Sequence, residues 1–192
     1  MEFLESQLSG YGEGGVGFEK TLVVHMEFLE SQLLDMMRTL VVHMEFLELQ
    51  LSNTFKLMKQ EGLVNDHFTF VYSLKRNIED HFYVEIIAEF CSVIQDGLKL
   101  LTQIMNTGSL NYNLMKEYVY KVKGSSLSFG ACRLAEAFAD IERAIDADSK
   151  EGCLEALKRA QRQFSALEEK LHGCLQLERR LVILATEGTN DK

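Results

Sequence analysis

The chain has 192 residues, 46% of them hydrophobic and 26% charged, with a formal charge of −9, the size and balance of one globular domain with an appendage. The acidic balance excludes a surface built for phosphate backbones, which needs an excess of Lys and Arg, so no nucleic-acid partner is expected. Proline is absent altogether, which argues against a strand-and-turn architecture and for long helices. No window approaches the roughly 18 apolar residues of a membrane span, so no membrane partner is expected. The acidic start MEFLESQL lacks the basic flank of a secretory signal, and the chain is expected in the cytoplasm and nucleus.

The N-terminal quarter repeats itself. TLVVHMEFLESQL at 21–33 returns as TLVVHMEFLELQL at 39–51, differing only at Ser31 against Leu49, and MEFLESQL also opens the chain. The copies stand 18 residues apart, five turns at about 3.6 residues per turn, so a helix carries both on one face. Two readings stand: a duplication or overextended start, with Met1, Met26 and Met44 as rival beginnings, or an added coiled-coil arm. His25 and His43 are read as ordinary helix residues. SGYGEGGVGFEK, residues 9–20, is read as a flexible link; no strand precedes it and no G-K-[ST] follows, so it is no phosphate loop.

From Met44 onward the periodicity is helical. Phe46, Leu47, Leu51, Phe55 and Met58 share a face, and Gly62 stops that helix. NDHFTFVYSLKR makes a second short helix capped by Asn65 or Asp66, with His67 and His81 beside it lacking ligand-like partners. A third helix is predicted from about Asp80 to Met105, with Phe82, Ile86, Ile87, Phe90, Ile94, Leu98 and Leu101 on one stripe. NTGSLN turns the chain, YNLMKEYVYKVKGSSLS forms a fourth helix, and Leu134, Phe138, Ile141 and Ile145 mark a fifth. Asp148 with Glu151 resembles a capping box opening the last helix. Its stripe of Ala160, Phe164, Leu167, Leu171, Cys174 and Leu181 has one polar slot, at Glu178. The predicted fold is all-α: an antiparallel four-helix bundle with two shorter helices covering one end.

Cys91, Cys132, Cys153 and Cys174 show no C-x-x-C spacing and read as reduced core thiols. No carboxylate or His/Cys cluster has metal spacing, so neither a metal nor a cofactor is expected.

The fourth helix carries the chemistry. Tyr120, Lys123, Gly124, Leu127 and Ser128 fall on one face, with Val119 and Val122 turned to the bundle. Lys116, Lys121 and Lys123 make the outer face basic. Gly124 interrupts the helix at a cost of about 1 kcal/mol. Either it lets a visiting protein approach or it packs against a neighbouring helix.

YKVKGSSLSFGA resembles the signature of the plant histidine-containing phosphotransfer proteins, in which a phospho-accepting histidine precedes x-x-K-G-S-S-x-x-x-G-A. Lys123, Gly124, Ser125, Ser126, Gly130 and Ala131 match it. EGLVNDHF, EFCSVIQDG, EGCLEAL and LQLERRL resemble the family's other segments in order, so the likeness covers about residues 44–185. It implies a phosphotransfer-type bundle over 44–187, a partly flexible extension over 1–43 and a disordered tail over 188–192. It also implies receiver domains of hybrid sensor histidine kinases and response regulators as partners, in a cytokinin-type phosphorelay. The face expected to meet them is Tyr120, Lys121, Lys123, Gly124, Leu127 and Ser128, on a monomer.

Where the resemblance expects the reactive histidine, this chain has Tyr120. Imidazole titrates near neutrality and its phosphoramidate can pass the group on; a phenol, titrating near about 10, is mostly protonated. No general base stands beside it in sequence, and a tyrosine phosphate is a low-energy ester. The resemblance therefore implies a pseudo-phosphotransfer protein, with docking kept, transfer chemistry lost and no catalytic residue. The alternatives are an active phosphorelay mediator between sensor histidine kinases and response regulators, and a helical scaffold that self-associates through its N-terminal arm.

Overall fold

A computed structural model of the chain describes residues 15–74, 82–107 and 111–187. The described residues form six helices: α1 (Gly15–Gln60), α2 (Asp66–Ser73), α3 (Phe82–Met105), α4 (Tyr112–Phe129), α5 (Cys132–Asp146) and α6 (Lys150–Glu187). The predicted all-α fold is the observed one. Helices α3, α4, α5 and α6 pack in a closed circuit, each against the next and α6 back against α3, while α1 lies on α6 and α2 on α4. The predicted stripes supply the core: Ile87, Phe90, Ile94 and Leu98 of α3, Phe138 and Ile141 of α5, and Phe164, Leu167 and Leu171 of α6 are all buried.

The N-terminal helices differ from expectation. The first is not short: α1 runs 46 residues without a break, through both repeat copies and back into the glycine-rich segment, of which residues 9–14 lie outside the described residues. The repeat spacing keeps the helical phase, and Gly15 and Gly17 sit in the terminal turns, where their entropic cost weighs least. Position 44 lies inside this helix. What changes there is burial: in the second copy Leu47 and Leu51 are 1% exposed, whereas their counterparts Leu29 and Leu33 are 50% and 48% exposed. Phe46, predicted on the buried stripe, faces solvent, because Leu47 and Leu51 set the inward direction and the preceding residue lies about 100° away.

The ends of the short elements follow their local chemistry. Gly62 closes α1 with φ +68°, and the Leu63 N–H donates to the Met58 carbonyl at 2.9 Å, a left-handed C-terminal cap. Asn65 is the cap of α2, its Oδ1 accepting from the His67 N–H at 2.9 Å. Asn111 caps α4 in the same way, accepting from Leu114 at 3.1 Å. The predicted end of α2 beyond Leu74, His81 and residues 108–110 of NTGSLN lie outside the described residues.

At α6 the capping residue is Ser149 rather than Asp148. Its Oγ accepts from the Gly152 N–H at 3.1 Å, and Asp148 takes a left-handed turn with φ +46°, which directs the cap to its neighbour. Two of the four cysteines, Cys91 and Cys132, are half-buried rather than core; the Cys132 thiol donates to the Gly62 carbonyl at 3.0 Å. The polar slot at Glu178 is buried. Burial and then the Glu178 charge push the Cys174 thiol up to about 12.

Two contacts seat α4. Phe129 stacks on Phe90 of α3, ring centroids 3.9 Å apart and planes 5° from parallel. Gly97 of α3 faces Val122, and a Cβ there would lie 2.2 Å from the valine Cγ1, so the absent side chain sets how closely α3 and α4 approach.

Candidate functional site

The inner face of α4 is fixed by Met115, Val119, Val122, Ser126 and Phe129, all buried. Ser126 Oγ donates back to the Val122 carbonyl at 2.7 Å, so this hydroxyl is spent inside the helix. Helical geometry then turns Tyr120, Lys121, Gly124, Leu127 and Ser128 outward. Tyr120 is 47% and Leu127 57% exposed, and Lys121, Gly124 and Ser128 are exposed beside them. The two readings of Gly124 are now separated: a Cβ at that position would meet nothing within 4 Å. It is a clearing on the surface, not a packing contact.

The electrostatics are less basic than the sequence suggested. Lys123 pairs with Glu142 of α5, and Lys116 pairs with Asp146 at 2.6 Å. The face is a two-helix surface, with α5 supplying acids that answer two of the three lysines. Lys121 makes no ion pair among the described residues. Both paired ammonium groups still stand over the Tyr120 ring, Lys123 at 5.2 Å and Lys116 at 5.9 Å from its centroid, within cation–π range. Their separation by seven positions places them on either side of Tyr120 along the helix.

Glu142 and Asp146 were not found from sequence. Their spacing of four puts them on one face of α5, but which α4 residues they meet depends on the register across the hairpin. The tight turn through Gly130, φ +84°, sets that register. The absence of a base beside Tyr120 is likewise corrected. Lys123 holds the Glu142 carboxyl below its usual range, and the Tyr120 hydroxyl is close enough to add to the effect; the Asp146 carboxylate holds Lys116 above its own. A carboxylate stabilised in its charged form is a poorer proton acceptor, so Glu142 is ill matched to a phenol.

The sign of the pair's pH dependence follows. A carboxyl held below its ordinary value contributes stability above its unfolded pKa of about 4.3 and loses it as pH falls through the folded value. Glu142→Gln should therefore be less stable than the parent near pH ~7, by up to about 1 kcal/mol. In urea titrations the gap should close on acidification below about pH 4. A gap that widened in acid would remove the pair from the account.

Among the described residues no group of three or more His, Cys, Asp or Glu is placed to hold a metal ion, and no helix is long and apolar enough to cross a membrane.

This bundle, with an exposed tyrosine and an open glycine on one helix, has the fold of solved histidine-containing phosphotransfer proteins. The chain is similar to ZmHP2 from maize, with a TM-score of 0.67 and 25% identity over 70% of this chain and 99% of that one. Its sequence relatives are plant proteins of the same kind. It is 27% identical over 127 residues to histidine-containing phosphotransfer protein 2 of Arabidopsis thaliana, covering 64% of this chain and 80% of that protein. It is 23% identical over 128 residues to pseudo histidine-containing phosphotransfer protein 1 of Oryza sativa subsp. japonica, covering 67% and 68%. No family model matches the chain.

Proposed function

We propose that this chain is a pseudo-phosphotransfer protein of a plant two-component phosphorelay of the cytokinin type. It docks receiver domains of hybrid sensor histidine kinases and response regulators through the α4 face, accepts no phosphoryl group and so damps the relay. The observation that carries this reading is Tyr120 itself. It is exposed beside the open Gly124, at the position where the motif Lys123-Gly124-Ser125-Ser126 calls for a histidine. Leu127 offers an apolar contact one turn on, and Lys121 an unpaired charge for an acidic receiver pocket. The relatives, which include both phosphotransfer and pseudo-phosphotransfer proteins, support the class. Its place of action under this reading is the cytoplasm and nucleus, which a fluorescent fusion would test by exclusion from either.

The test is incubation with a phosphorylated receiver domain. A stable complex with no label passing to this chain is expected, and Gly124→Leu should abolish the complex without unfolding the bundle, because its side chain fills only open space. Label on the chain at any residue would replace the proposal with an active mediator. That alternative requires a nucleophile as good as imidazole at position 120.

A further inference from the structure

We infer that two copies of this chain pair antiparallel through the α1 arm. From residue 22 to residue 39 every residue of α1 is exposed. Yet the first repeat copy carries the same inward stripe as the second: Leu22, Met26, Leu29 and Leu33 stand where Leu40, Met44, Leu47 and Leu51 stand 18 residues later. Within the chain that stripe has a known partner, since the second copy lies on α6.

The contact runs antiparallel. Glu61, just past α1, meets Lys170 at 3.5 Å, while Arg180 lies beside Thr39, Val42 and His43 in a cleft of about 500 Å³. Among the described residues helix α6 ends at Glu187, short of the first copy. Within those described residues the stripe continues and its cover does not. A monomer, the state expected from the sequence, leaves this surface in water, and contiguous apolar patches of more than a few hundred Å² are rare on monomers.

A second arm placed antiparallel begins where α6 stops and runs in the direction α6 was taking. It thereby covers the first-copy stripe as α6 covers the second. A parallel arm would drive the other copy's bundle into the space of α6. The antiparallel arrangement is also self-complementary, as a twofold interface requires. With the twofold axis between Met26 and Leu29, Leu22 falls opposite Leu33 and Met26 opposite Leu29, clear of the stretch that α6 covers, so these layers are apolar and no charge faces a like charge. These layers span the first repeat copy, residues 22–33, and extend the apolar seam that α6 makes with the second. The arm's charge argues for a second copy over a lipid surface: Glu27, Glu30, Asp35 and Glu45 outnumber Arg38, whereas interfacial helices carry Lys and Arg.

The inference is independent of the α4 docking face and is tested apart from it. Light scattering on the full chain at tens of micromolar should give twice the 21.9 kDa of one chain. L29K/L33K changes residues that are exposed in the single chain, so its thermal melt by circular dichroism should keep the bundle transition while its mass falls to that of one chain. Leu127→Glu, on α4, should lose receiver binding and keep the doubled mass. Single-chain mass for the parent protein, or doubled mass persisting in L29K/L33K, would overturn the inference. So would loss of the doubled mass in Leu127→Glu.

Discussion

Tyr120→His should acquire phosphoryl label from a phosphorylated receiver at a rate at least about a hundredfold above the parent chain, the scale of effect that competent proton transfer and nucleophile chemistry commonly make. The surroundings favour it. The position is exposed, Gly124 leaves room one turn away, and an imidazole there is partly unprotonated at neutral pH. Lys116 and Lys123 remain to face the incoming phosphoryl oxygens, and Glu142 remains beside the ring. The variant leaves the core untouched, so any difference in labelling reports chemistry rather than folding; changes at such surface sites usually stay within about 0.5 kcal/mol. If the variant forms the receiver complex and stays unlabelled, position 120 is not the transfer position. If the parent chain labels equally well, tyrosine is competent and the pseudo-phosphotransfer reading fails.

The largest loss of stability is expected from Gly130→Ala. Gly130 closes α4 at φ +84° and its backbone meets α2 directly: an added Cβ would lie 2.5 Å from the Phe68 nitrogen and 2.7 Å from Asn65 Oδ1. The Gly130 carbonyl also accepts from the Asn65 N–H at 3.0 Å. The left-handed conformation costs an alanine about 1–2 kcal/mol, and forcing apart packed backbone about 1–3 kcal/mol more. Together these give roughly 3 kcal/mol. For a chain of this size that lowers Tm by about 6–12 °C, read by circular dichroism. An alanine variant melting within a degree or two of the parent would mean that α2 is not pinned at this turn.

What the sequence could show depended on whether an effect was local. The core stripes of α3, α5 and α6 were legible because a helix converts spacing directly into direction. The roles of Gly97 and Gly124 were not, since each costs its helix the same in isolation. Only the neighbouring helix reveals that Gly97 is filled by Val122 while Gly124 faces open space. Glu142 and Asp146 escaped for a related reason: their partners are fixed by the register of α5 on α4, which no single helix encodes. The repeat told the phase of α1 correctly, but an apolar stripe does not state what covers it, and the described length of α6 stops short of the first copy.

The division of α4 into a buried and an exposed side has an evolutionary consequence. Val119, Val122 and Phe129 hold the helix in place, while the exposed Tyr120 ring adds only surface contacts with Lys116 and Lys123. A tyrosine-to-histidine exchange there leaves the buried side intact and changes stability only within the roughly 0.5 kcal/mol usual at surface sites, so selection on abundance or solubility cannot strongly police the position. Only selection on signalling can. Under the function proposed above, transmitting and silent proteins on this scaffold would lie a single exchange apart, and a lineage could turn a relay component into its own competitor, or back, in one step.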